Sequence, residues 1–165
     1  MDTLSVERYA RLGFAAYREK NFKRAAECFR QALELDRQRN QRQPDMRYLS
    51  FYGLSLAKAG LSSKIAIQAC TRAVSHKRTD PVLFLNLGRV YAMSGQETSA
   101  MRAFQQGLAL APDHLQLRRA LGSLDRRSRP VVPFLHRDHS VNRTLGRLRA
   151  GLRRRRAEDP VAAPG

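Results

Sequence analysis

Apolar residues recur along this chain at helical spacing, in pairs of segments separated by short breaks. The clearest pair runs from Asp80 to His114. Phe84, Leu87, Gly88 and Tyr91 fall at i, i+3, i+4 and i+7, one face of a helix. Pro81 suits the first helical position, where its missing N–H costs nothing, and Asp80 stands where an N-cap belongs. Ser94-Gly95 ends that helix, and Ala100, Phe104, Gly107 and Leu108 repeat the pattern on a second. Pro112 closes the unit, with Asp113 placed to cap the next helix. Large and small residues alternate on the two faces, so one helix can lie close against its partner.

The same pattern recurs on either side. Residues 6–37 carry Tyr9, Leu12 and Gly13, then Phe22, Ala25, Phe29 and Ala32. Residues 45–79 carry Leu49, Tyr52, Gly53 and Leu56, then Ala66, Cys70 and Ala73, with one residue inserted between Gly60 and Ala66. The glycines fall 40 residues apart (Gly13 to Gly53), then 35 (to Gly88), then 34 (to Gly122). Six further residues therefore belong to the polar Arg37–Pro44 stretch, a loop or a helix extension into solvent. Residues 113–127 give one more first helix, through Leu117, Leu121, Gly122 and Leu124, whose paired arginines suit an outer, solvated face.

This spacing closely resembles the tetratricopeptide repeat, a 34-residue helix–turn–helix. The third unit carries Phe84, Leu87, Gly88, Tyr91, Gly95, Ala100, Phe104 and Pro112 at the family's positions, with Gly107 where Ala is usual. The resemblance implies an all-α fold, a right-handed superhelical stack of antiparallel helix pairs, with repeats at about 6–37, 45–79 and 81–112 and a capping helix at 113–127. It also implies a non-enzymatic scaffold or adaptor, binding a peptide or helix of another protein in a concave groove lined by the first helices. Carried over by position, the groove has an apolar floor of Phe14, Tyr17, Leu54, Leu85 and Met93. Arg18, Arg47, Lys58 and Arg89 form its basic rim. Some family members clamp a chaperone's terminal carboxylate with Lys and Asn, where this chain has Ala10 and Phe14. An apolar segment with acidic flanks is the expected ligand instead.

Charge sharpens the picture at the C-terminal end. The net charge is +17 over 165 residues. Residues 126–165 hold 11 Arg against three acids, a surplus of eight in 40 residues, and no Lys follows Lys77. Two prolines bias Arg129–Leu135 to an extended path, yet Val131, Val132, Phe134 and Leu135 are apolar, so this stretch is expected to cover the repeats or meet a partner. Within the 128–157 segment, a basic amphipathic helix is predicted from Val141 to Ala157. Val141, Leu145, Leu148 and Leu152 form a narrow stripe through which two copies could associate. Arg143, Arg147, Arg149, Arg153, Arg154, Arg155 and Arg156 occupy the remainder. These arginines make nucleic acid or an anionic membrane the alternative target, although no aromatic is interleaved to stack bases. Residues 158–165 are expected to be disordered.

No phosphate loop, nucleophile elbow or HExxH motif is present, so neither catalysis nor a cofactor is expected. His136 and His139 flank Asp138, a spacing that suits a loop as well as a metal. Cys28 and Cys70 fall on second helices beside apolar positions, where small buried hydrophobes belong. No apolar run approaches the roughly 20 residues that span a bilayer. Met1–Glu7 lacks the basic flank and apolar stretch of a secretory signal, so a cytoplasmic location is expected.

Overall fold

Among the described residues, seven helices realise the pattern: α1 (Thr3–Arg18), α2 (Phe22–Arg39), α3 (Met46–Lys58), α4 (Ser63–His76), α5 (Pro81–Met93), α6 (Glu97–Leu110) and α7 (Leu115–Ser128). The structure, a computed structural model, describes residues 3–39 and 45–128, with the side chains of 6–38 and 45–124. The chain divides into two units, Met1–Leu124 and Asp125–Gly165, and the helical stack is the first.

Local chemistry sets the boundaries. Asp45, Ser62 and Asp80 cap α3, α4 and α5, each side chain accepting from a backbone N–H of the first turn. The turns within pairs span three residues (Glu19–Asn21), four (Ala59–Ser62) and three (Ser94–Gln96), which puts the inserted residue where the glycine interval predicts it. Two residues beyond its first helix, each turn enters the left-handed region: Lys20 at φ 60°, Gly60 at 67° and Gly95 at 76°. One boundary departs from expectation. Helix α7 starts at Leu115, and His114 rather than Asp113 caps it, its Nδ1 accepting from the Leu117 N–H at 3.4 Å. The Asp113 carboxylate is held instead by Arg118 at 2.8 Å.

The first helices form an inner layer and the second helices an outer one. Helix α2 packs on α1 and α3, α4 packs on α3 and α5, and α3 also meets α5 directly. The interior is continuous because its clusters straddle repeats. Ala16, Ala25 and Phe29 lie under Phe51 of α3. Leu54, Leu56 and Cys70 join Leu87 and Val90 of α5. Leu85 and Phe104 join Leu117 and Leu124 of α7. Phe29 and Phe104 are fully buried, each ring stabilising the fold by about 2–3 kcal/mol.

Gly13, Gly53 and Gly88 occupy equivalent tight contacts between the helices of a pair. A Cβ on Gly13 would lie 2.9 Å from the Phe29 ring, and one on Gly88 would lie 2.3 Å from the Phe104 ring. The second repeat reaches the same closeness differently. Cys70 replaces the ring, and a Cβ on Gly53 would lie 2.7 Å from the Ala66 carbonyl oxygen and 2.8 Å from Cys70 Sγ. With no ring to accommodate, the two backbones come together directly.

This packing is testable in two ways. Gly53→Ala and Gly88→Ala should each cost about 2–3 kcal/mol in urea unfolding, Gly53→Ala the more, because a helix backbone gives way less readily than a ring. Equal stability of both variants and the parent would contradict the packing. Cys70 is buried, its Sγ bonds the Ser50 carbonyl at 3.4 Å, and burial pushes its thiol up to about 12. A folded pKa above the unfolded one gives stability that is complete below about pH 9 and is lost as pH rises towards 12, at up to about 1.4 kcal/mol per pH unit. Native-state alkylation at pH 8 should therefore modify the half-exposed Cys28 and leave Cys70 intact until the protein unfolds.

Candidate functional site

The structure sorts the groove residues expected from the sequence into three groups. Leu54 and Leu85 are core, at 0% and 2% exposure, and not floor. The reason is the direct packing of one first helix on the next: Leu54 fills the seam between α3 and α5, and Leu85 the seam between α5 and α7. The same α3–α5 seam holds a buried hydrogen bond from Asn86 Nδ2 to Ser50 Oγ at 3.0 Å.

Arg47 and Phe14 already have partners. Arg47 Nε donates to Asp80 Oδ2 at 2.7 Å, while Asp80 Oδ1 accepts from the Val82 N–H at 3.0 Å. One carboxylate thus caps α5 and ties it to the start of α3, so Arg47 fastens repeats two and three rather than standing free on a rim. Phe14 lies edge-on to Phe51 at 4.9 Å and to Phe29 at 5.0 Å, half-buried in an aromatic cluster of α1, α2 and α3.

Arg18, Tyr17, Lys58, Arg89 and Met93 make up the third group. Arg18, Lys58 and Met93 are the last residues of α1, α3 and α5, so they share one edge of the inner layer. All three are exposed. Lys58 Nζ stands 4.9 Å from the Phe22 ring centroid and 5.8 Å from that of Tyr17, within cation–π reach of both. Burial, then Arg89 and Lys20, push the Lys58 ammonium below its ordinary pKa. Burial also raises the Tyr17 phenol, against the opposing pull of Arg89. Arg89 Nη2 donates to Gln116 Oε1 at 3.4 Å. Among the described residues, no carboxylate forms an ion pair with Lys20, Lys58 or Arg89.

Position within the first helices could not reveal Lys20 or Phe22, which lie in the first turn and at the start of α2. A faint signal existed: Gly60 and Gly95 occupy the turn position at which repeat one has Lys20. The predicted basic helix with Arg143, Arg147, Arg149 and Arg153–Arg156, the Val131–Leu135 stretch and the His136/His139 pair lie outside the described residues. Among the described residues, no group of three or more His, Cys, Asp or Glu could hold a metal ion, and no helix is long and apolar enough to cross a membrane.

The sequence profile described as the tetratricopeptide repeat matches residues 6–39 and again residues 82–114. These are the first and third helix pairs, and the second lies between them in the same register. The chain is a tetratricopeptide-repeat protein. The seven helices of the described residues make about three repeats plus a capping helix.

The repeat stack is similar to the TPR domain of Arabidopsis OM64, with a TM-score of 0.63 and 20% identity over 76% of this chain and 98% of that one. It is also similar to the second TPR domain of human RPAP3, solved with the HSP70 peptide SGPTIEEVD (TM-score 0.60, 19% identity, 76% of this chain and 96% of that one). A third similar structure is PcrH of Pseudomonas aeruginosa, in complex with the chaperone binding region of PopB (TM-score 0.61, 20% identity, 75% of this chain and 97% of that one). At these identities the likeness is one of fold. No curated protein sequence matches the chain.

In this repeat protein the structural role of Arg47 is testable. Asp80→Asn keeps a capping oxygen and loses the half-exposed ion pair, and should cost about 0.5 kcal/mol. Asp80→Ala also loses the cap, and should cost about 1.5 kcal/mol in thermal or urea unfolding. An Asp80→Ala variant as stable as the parent would return Arg47 to the rim.

Proposed function

We propose that this protein is a non-enzymatic scaffold that holds an extended or helical segment of a partner protein along its inner helices. The observation that carries this reading is the strip of Tyr17, Lys58, Arg89 and Met93 contributed by α1, α3 and α5. It combines apolar surface with cations that pair with no carboxylate among the described residues. A segment with an apolar centre and acidic flanks complements such a strip. The RPAP3 domain was solved with a peptide of that character, containing Ile beside Glu-Glu-Val-Asp. In this chain Ala10 is buried and Phe14 is enclosed by aromatic rings, so the ligand's acids would meet Lys58 and Arg89 rather than clamp residues in the first repeat.

Selection of random peptides on the immobilised full chain tests the reading. Enriched sequences should combine apolar and acidic residues. Arg89→Glu and Met93→Glu should each weaken binding by about tenfold, equivalent to about 1.4 kcal/mol, without changing the melting temperature. Enrichment of basic or uncharged sequences would overturn it. So would undiminished binding to both variants, which would place the acidic peptides on the arginines beyond residue 125.

A further inference from the structure

Of the 31 Lys and Arg residues in the chain only five are Lys, and four of these five fall at the turns inside the first two helix pairs. Lys20 lies in the first turn and Lys23 at the start of α2, while Lys58 ends α3 and Lys64 lies in the first turn of α4. All four are exposed. The helices of a pair run antiparallel, so both turns lie on the edge already marked by Arg18, Lys58 and Met93. The two turns are also neighbours: Lys58 Nζ stands 4.9 Å from the centroid of Phe22, which Lys20 and Lys23 flank in the sequence. Glu19 is the single acid between Arg18 and Arg24, and residues 46–79 contain none. Among the described residues, no carboxylate forms an ion pair with any of the four lysines. Two aliphatic side chains stand among these charges, Leu61 in the second turn at 53% exposure and Ile65 in the first turn of α4 at 47%. Leu61 precedes the Ser62 cap, where an apolar residue often folds onto its helix, yet more than half of it stays clear.

We propose that this edge docks on an anionic lipid bilayer, with Leu61 and Ile65 entering the headgroup layer and the four lysines meeting the lipid phosphates and carboxylates. Exposed apolar residues rimmed by cations make up the composition of an interfacial anchor. Shape separates the partners. A polypeptide is held by recessed residues, whereas these two aliphatics stand exposed on a turn and a helix start. Nucleic-acid bases stack on aromatic rings, and neither of the two exposed apolar side chains is aromatic. Lysine suits an interface because its four-carbon stem lies along apolar surface while the ammonium reaches a headgroup. Lys58 already does so against the Phe22 and Tyr17 rings. Attraction to an anionic surface fades within a Debye length, so lysines gathered on one edge act together where scattered ones would not. Nothing in this assignment depends on a polypeptide bound along the inner helices.

The chain has no Trp, so Leu61→Trp places a single fluorescent reporter on this edge of the full chain. With vesicles of equal parts phosphatidylserine and phosphatidylcholine, its emission should move to shorter wavelength and be quenched by brominated acyl chains. Vesicles of phosphatidylcholine alone should leave it unchanged. Leu115→Trp, which puts the reporter at an exposed site on the opposite edge, should show neither effect. Lys23→Gln and Lys64→Gln, each added to Leu61→Trp, should weaken the response about fivefold, equivalent to about 1 kcal/mol per lysine, with the melting temperature unchanged. The proposal is overturned if the Leu61→Trp protein sediments with the charged vesicles without a shift, because the arginines beyond residue 125 then carry the binding. It is overturned equally if nothing sediments, if the two reporters respond alike, or if both glutamine variants respond as strongly as Leu61→Trp alone. A shift of the same size with polyglutamate or duplex DNA would also sink it. No peptide takes part, so each of these outcomes leaves the scaffold reading standing.

Discussion

Close approach of the two helices of a pair at a glycine governs this structure. At Gly13 and Gly88 the notch left by the missing side chain receives a phenylalanine ring from the second helix. Once that ring is seated, the rotation and height of the second helix are fixed, and so is the surface the pair offers to the next. The second repeat satisfies the same constraint with Cys70, a residue too small to fill a ring's place. Its backbones close up instead, and Ser50 binds at once to the Cys70 thiol and to Asn86 of the next first helix. The middle of the stack therefore uses a short polar seam where its neighbours use aromatic packing.

This constraint has a consequence for the surface. Helices α2 and α4 each wedge between two first helices, and α3 and α5 are drawn into direct contact. Their mid-helix side chains then fill the seams, which is why α5 is buried at every position from Leu83 to Gly88. At the ends of these helices Arg18, Lys58 and Met93 stay exposed, and Tyr17 and Arg89 stay half-buried.

The sequence carried the register, because a glycine notch and the residue that fills it are both visible as residue types at fixed intervals. It even located the single inserted residue between Gly60 and Ala66. It did not carry the distance between neighbouring first helices. Position along a helix tells which side a residue faces, but not whether the next helix is close enough to bury it, so Leu54 and Leu85 read as floor and proved to be seam. Asp113 read as a cap because capping preference is a property of the residue type. The helix starts two residues later, since Arg118 draws that carboxylate away and leaves the task to His114. Backbone conformation was legible only by comparison: a left-handed turn is plain at Gly60 and Gly95, and only their alignment with the first repeat assigns it to Lys20.

For a chain of net charge +17, a basic residue as such says little about function. Most of the described cations are solvated, and a solvated cation costs almost nothing to keep. Partners separate the remainder. Arg30, Arg47 and Arg118 each meet a carboxylate within 2.8 Å, and in doing so brace a helix or join two repeats. Lys58 differs from both groups, being partly dehydrated against two rings and repelled by two cations. Moving any one of these groups into water would relieve the arrangement, and a substitution as small as glycine at the Lys20 turn would also relieve strain.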